Sequence, residues 1–272
     1  MSRYWPQRKS EMEILGYFVV VGIGFVLGSI GAGGSMLAIP ALVYLFSMDM
    51  ETASAYSLFL VGMTSITGVA LKYREQHVSV STLLFFGMPS LAGSFVSRNW
   101  IVVHIPDVIG DCYGHLLTKE NLLLTLFALL MFASSITMLL KKKTESDRLR
   151  KPKLYLLMLT GTITGLAAGL VGVGGGFFIL PALIIFAALP FSIAAGTSLV
   201  IIFLNSSFGF CGDLLNRSID WHFLVPLTSL ALLGLLLGYW SHKQVQKLLS
   251  QHRFAWFVIL MGISILVMQL VR

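Results

Sequence analysis

The sequence predicts an all-α polytopic membrane protein made of two homologous repeats. Three observations carry that reading: an apolar composition, a series of membrane-length hydrophobic runs, and a glycine motif that occurs twice at a fixed spacing. Of 272 residues, 56% are hydrophobic and 11% are charged, against about 25% charged in an ordinary soluble domain. The mean hydropathy is +0.85. Too few charged side chains remain to cover a soluble core, so lipid is the main solvent.

Apolar runs of the length that crosses a bilayer, roughly 17–25 residues, occupy 52–71, 80–96, 122–140, 193–215, 223–240 and 254–271. Two further runs, 14–47 and 154–189, are longer than one crossing needs. The first of these would measure about 51 Å as a helix at 1.5 Å per residue, against a hydrocarbon core of about 30 Å. A crossing followed by a short second crossing or re-entrant half-helix uses that length. Counted as single crossings, the chain has eight spans and parallel halves; counted as broken pairs, it has ten spans and inverted halves. Both counts leave more Lys and Arg inside than outside, and the reading leans to ten and to inversion. Arg3, Arg8 and Lys9 precede the first run, but that run exceeds a signal-peptide core and lacks an Ala-x-Ala cleavage site, so an uncleaved first span is expected.

The net charge is +7, and it concentrates in Lys141-Lys142-Lys143 and Arg148-Leu149-Arg150-Lys151-Pro152-Lys153. Basic loops stay in the cytoplasm, so this segment reads as a cytoplasmic linker rather than a nucleic-acid arm. The expected organisation is a first transmembrane repeat at 1–140, the basic linker at 141–153 and a second repeat at 154–272.

The repeat is legible in register. Gly24-x-x-x-Gly28-x-x-Gly31-x-Gly33-Gly34-Ser35 is followed by Pro40-Ala41-Leu42, and Gly165-x-x-x-Gly169-x-x-Gly172-x-Gly174-Gly175-Gly176 by Pro181-Ala182-Leu183. Every pair is 141 residues apart, and the same offset joins Ser57-Leu58 to Ser198-Leu199, Ser65 to Ser206, Gly68 to Gly209 and Gly93 to Gly234. Repeats of this kind are typical of secondary transporters, whose sites form between the halves.

Glycine costs about 1 kcal/mol in a helix interior, and lipid excludes unsatisfied backbone unless it is buried in protein or lines a cavity. A glycine cluster inside an apolar run therefore reads as a deliberate break that frees backbone N–H groups at the start of the next half-helix, over 36–47 and 177–189. Helix N-termini bind anions. The candidate ligands are Gly31, Gly33, Gly34 and Ser35 in the first copy and Gly172, Gly174, Gly175 and Gly176 in the second. Thr64, Ser65, Asn205 and Ser206, polar groups at mid-span, can donate to the same anion; Ser57, Thr197 and Ser198 are weaker candidates. Gly24-x-x-x-Gly28, Gly165-x-x-x-Gly169 and Gly234-x-x-x-Gly238 read instead as close helix packing.

The rest of the sequence narrows the chemistry. No Asp, Glu, Lys, Arg or His lies deep in a run, where proton relays and metal paths place them. There is no His-x-x-x-His pair, and no Gly-Lys-Ser/Thr follows the glycines. Cys112 and Cys211 form no disulfide framework. No cofactor, metal or catalytic residue is expected; a membrane enzyme would need a positioned nucleophile, base or metal cluster. A channel, which would favour a ring of like charges or a carbonyl filter, is the rival that saturable or unsaturable flux separates.

At these residues the chain resembles the sulfite exporter TauE/SafE family. The resemblance rests on Gly28-x-x-Gly31-x-Gly33-Gly34 with Pro40-x-Leu42, and on Gly169-x-x-Gly172-x-Gly174-Gly175-Gly176 with Pro181-x-Leu183. It runs on through the span after each motif and its exit loop, 73–79 and 214–221. It implies a multi-pass bacterial inner-membrane permease that exports sulfite, sulfoacetate or a related organosulfur anion; a channel or an importer of a related anion is the alternative. The implied partners are that small anion and the lipid bilayer, with a homodimer as the assembly to consider. Two departures stand out: Ser35 where the second copy has Gly176, and a long loop over 98–121, which could form an extracytoplasmic cap.

Overall fold

The structure is a computed structural model that describes residues 5–30, 33–72, 78–106, 108–112, 115–140, 154–172, 174–216, 218–241 and 251–271. Gly31 and the 141–153 linker lie outside the described residues. The described residues form ten helices. They are α1 (Trp5–Ile30), α2 (Ala38–Leu45, entered through a 3₁₀ turn, Gly33–Leu37), α3 (Met50–Lys72), α4 (Val80–Val102) and α5 (Lys119–Leu140). Then come α6 (Leu154–Val171), α7 (Gly176–Phe186), α8 (Phe191–Asn216), α9 (Trp221–Trp240) and α10 (Gln251–Val271). Six of them (α3, α4, α5, α6, α8 and α9) are long and apolar enough to cross a bilayer. Large apolar side chains such as Phe18, Leu84, Phe95 and Trp240 are exposed, as a lipid-facing surface requires.

The 98–121 segment corrects the expectation of a loop. Helix α4 continues through Val102, and Lys119 already begins α5. Between them lies an antiparallel hairpin, β1 (Val108–Cys112) and β2 (His115–Thr118). The polar triplet Ser97-Arg98-Asn99 ended the apolar run but did not end the helix. Helix α4 widens into π turns at Leu83–Gly87 and Ser97–Val102. Pro89 lies just past the first of these, where a missing N–H and a ring clash disturb the regular ladder.

The same backbone events recur 141 residues apart. Among the described residues, Ser47 and Ala188 are the two non-glycine residues with positive φ, at 53° and 51°. Each follows a short helix that is closed by a six-residue bond, Met48 N–H to Leu42 O (3.2 Å) and Leu189 N–H to Leu183 O (3.3 Å). Ser79 and Asp220 cap α4 and α9 with nearly the same dihedrals. Their own amides donate to partners on the opposite half, Thr197 Oγ1 (3.1 Å) and Tyr56 OH (2.9 Å).

Packing follows the glycines. Helix α1 lies against α9, α4 against α6, α3 against α8, and α5 against α10. A methyl group on Gly24 or Gly28 would strike the backbone oxygen of Ala231 or Leu235 at 1.9 or 2.1 Å; on Gly165 or Gly169, that of Ser90 or Ser94 at 1.9 or 2.5 Å. These glycines allow backbone-to-backbone approach, the role expected of small-x-x-x-small pairs. Helices α3 and α8 cross in antiparallel sense: Gly62 faces Ser206, Gly68 faces Leu199, and Gly209 faces Leu58.

Pro181 sits inside α7 and has no N–H for the Phe177 carbonyl four residues earlier. Ser134 of α5 donates to that carbonyl instead (3.0 Å). A broken half-helix in an apolar setting needs such outside support.

Candidate functional site

The second glycine motif makes the turn that joins α6 to α7. Gly172, Gly174 and Gly175 have φ of 75°, 67° and 78°, left-handed values that residues with a Cβ adopt only at a cost. Gly175 is the N-cap of α7, and its carbonyl accepts from Phe178 N–H (3.0 Å) and Ile179 N–H (2.8 Å). The amides of Gly176 and Phe177 precede those bonds, in the stretch where a helix leaves N–H groups for an outside acceptor.

Ser206 of α8 stands directly on this turn. A Cβ built on Gly174 would lie 2.1 Å from Ser206 Oγ and 3.5 Å from Val61 of α3. Ser206 is 0% exposed, and its hydroxyl has no hydrogen-bond partner. The equivalent Ser65 of α3 is also 0% exposed with an unpartnered hydroxyl. Beside Ser206, Asn205 Nδ2 donates to Ser90 Oγ (3.0 Å) while its Oδ1 has no partner. A buried polar group left unpaired costs about 1–3 kcal/mol, and native structures keep few of them. Helices α3 and α8, which pack against each other, carry three such atoms between them.

The other candidates divide. Gly33 and Gly34 open the 3₁₀ turn ahead of α2, with Ser35 fully buried behind them. The two glycine breaks therefore differ in form, as Ser35 against Gly176 suggests. Thr64 does not supply a donor: its hydroxyl bonds to Leu60 O (2.8 Å) and Val61 O (3.1 Å) in its own helix. Ser198 is likewise bonded to Ala195 O (2.9 Å) and Thr197 to Ile193 O (2.8 Å). Ser57 serves the backbone instead, donating to Gly172 O (3.0 Å).

Sequence reasoning missed a charged cluster at one end of the α3–α8 pair. Arg98 of α4 grips Asp213 of α8 with Nε (2.9 Å) and Nη2, and donates from Nη1 to Ser54 Oγ (2.9 Å). Ser54 in turn bonds to Gly172 O (3.4 Å). Lys119 pairs with Glu51 nearby (2.6 Å). These side chains line a cavity of about 470 Å³ together with Leu170 and Val171, the residues just before the glycine turn. One signal could have found Arg98: buried Ser90, Ser94 and Ser97 continue a helical stripe of small polar residues past the end of the apolar run.

With this geometry in view, the likeness to known proteins becomes specific. The model of the family described as sulfite exporter TauE/SafE matches residues 16–267. The chain belongs to the TauE/SafE family. A probable membrane transporter protein of Xylella fastidiosa is 30% identical over 272 aligned residues, covering 94% of this chain and 97% of the relative. The probable membrane transporter protein YunE of Bacillus subtilis is 23% identical, with 85% and 90% covered. A probable membrane transporter protein of Methanocaldococcus jannaschii is 28% identical, with 73% of each chain covered. This TauE/SafE chain is thus a multi-pass membrane protein of a transporter family, and a small-molecule substrate follows from that membership.

Proposed function

We propose that this TauE/SafE protein exports a small anion, sulfite or an organosulfonate, across a bacterial inner membrane. The observation that carries the reading is the buried, unpartnered Ser206 Oγ against the left-handed turn at Gly174, with Ser65 Oγ on α3 and Asn205 Oδ1 on α8 likewise buried and unpartnered. The anion accepts from Ser206, from Ser65 and from the first-turn amides of α7 at Gly176 and Phe177, with Gly33 and Gly34 contributing from the opposite break. Asn205 joins them through a half-turn of its amide, since its N and O are interchangeable in position. Ser90 then donates to Oδ1, and Nδ2 faces the anion. Neutral donors hold an anion without trapping it, as a transporter that must release its cargo requires.

The architecture behind this proposal is a pair of inverted halves, 1–140 and 154–272, joined by a cytoplasmic basic linker at 141–153. It is supported by equivalent helices, α3 and α8, that cross antiparallel, and by breaks and caps that recur at the 141-residue offset. An axis in the membrane plane relates such halves. With the linker inside, the Arg98 cavity opens outward, because α5 starts at the cavity and ends at the linker. In a cysteine-free background, an impermeant thiol reagent applied to the outer face should label Ser218→Cys and spare Gln246→Cys. The reverse pattern would mean parallel halves.

The functional test is flux from proteoliposomes over a panel of anions. Saturable flux of sulfite or a sulfonate, with mutual competition, is expected. Unsaturable flux would mean a channel, and no flux of any anion would end the reading.

A further inference from the structure

We infer that Arg98 is a second anion-binding position, between the Gly174–Ser206 site and the cavity, and that the Asp213 carboxylate occupies it as an internal stand-in for the substrate. This inference rests on the anion-transport reading above.

The guanidinium is engaged on every side. Nε and Nη2 meet the two oxygens of Asp213, and Nη1 donates to Ser54. Both charged side chains are only 11% exposed. An arginine fork fits a planar pair of oxygens. Sulfite and sulfonates present such a pair, so the geometry that holds Asp213 would hold them too.

Position makes Arg98 more than a strut. Arg98, Asp213 and Ser54 line the 470 Å³ cavity. On its inner side Arg98 abuts the glycine turn, because a Cβ on Gly172 would lie 2.7 Å from Nη1 and 1.7 Å from Ser54 Oγ. Two residues along, the same turn touches Ser206 at Gly174. An anion leaving the central site towards the cavity therefore meets this guanidinium first. The network also spans the halves: Arg98 and Ser54 come from α4 and α3, Asp213 and Gly172 from the second repeat. The positions 141 residues away hold Tyr239, Lys72 and Ala195, which cannot build the same fork. The second position exists at one end of the pathway.

Exchange of one oxyanion for another avoids the main obstacle to charge movement here. Stripping a partner from a buried ion leaves an uncompensated charge. When the substrate takes the fork as Asp213 leaves it, the guanidinium stays paired throughout. The carboxylate, freed into the cavity, is then the group that returns to close the position behind the departing anion.

The test uses the purified full-length protein, with methanesulfonate and sulfite as probes and calorimetric binding and proteoliposome flux as readouts. In Asp213→Asn the internal competitor is gone, and methanesulfonate is expected to bind about tenfold tighter or in an additional event. A merely structural ion pair would give no gain. Removing the fork as well, in Arg98→Gln/Asp213→Asn, should cancel that gain and raise the flux KM about tenfold while the protein stays folded. Folded Asp213→Asn with unchanged or weaker affinity would overturn the inference, as would a double variant with the wild-type KM. If Asp213→Asn does not fold, the double variant, which leaves no lone charge, decides alone. A wild-type protein that binds and carries neither probe would instead reject the anion reading itself.

Discussion

Gly174→Leu is expected to abolish anion binding in a protein that still purifies as a folded species. The substitution puts a side chain where φ is 67° and where even a Cβ would lie 2.1 Å from Ser206 Oγ. It therefore fills the space between the turn and the hydroxyl. Losing two or three hydrogen bonds to a charged ligand, at about 1.5–3 kcal/mol each, lowers affinity by at least a hundredfold at about 1.4 kcal/mol per tenfold. Ser206→Ala separates binding from folding more finely. It deletes a buried hydroxyl that has no partner, so thermal stability should hold or rise while affinity falls about tenfold. Calorimetry with sulfite and a thermal melt on the same samples check both. A Ser206→Ala protein that melts lower and binds normally would make the hydroxyl structural.

The second large effect concerns the driving force. Among the described residues, no ionisable group lies at the α3–α8 crossing; the acidic Glu51 and Asp213 sit at one end, each beside a cation. Without a carboxylate at the proposed site no obligatory proton coupling is expected, and the membrane potential is the expected driving force on the anion. One charge moved through 100 mV is worth about 2.3 kcal/mol. An inside-negative potential of that size expels a monovalent anion to about a fifty-fold gradient, since 1.4 kcal/mol is tenfold. Proteoliposomes under a clamped potassium diffusion potential should show flux that follows the potential and ignores an imposed pH gradient. Flux that follows the pH gradient would make Asp213 the first residue to examine as a proton carrier.

Much of this arrangement is written along the chain, and the missing part is long-range. The apolar runs mark the helices because lipid imposes length and composition on any segment that crosses it. The glycine breaks are legible because glycine has no other reason to cluster in such a run. The 141-residue offset survives because each half meets the same packing problem: Gly24 against Ala231 and Gly165 against Ser90 are the same contact. Arg98 was invisible as a functional residue because its meaning depends on Asp213, 115 residues away. Asn205 depends on Ser90 at the same separation. Thr64 looked as able as Ser65, and only the rotamer that turns its hydroxyl onto Leu60 O distinguishes them. Helical threonines often make that bond, whereas an unpartnered serine beside a glycine turn is a fact of tertiary structure.

The most direct measurement is the position of the bound anion itself. Selenite replaces the sulfur of sulfite with an anomalous scatterer, and diffraction from crystals soaked in it locates the ion without reference to any mutant. The expected result is a selenium peak placed so that the selenite oxygens lie within hydrogen-bonding distance of Ser206 Oγ and the amides at Gly176 and Phe177, absent in Gly174→Leu. A peak confined to positions remote from both glycine turns, or one that persists beside Ser206 in Gly174→Leu, would contradict the assignment of the site.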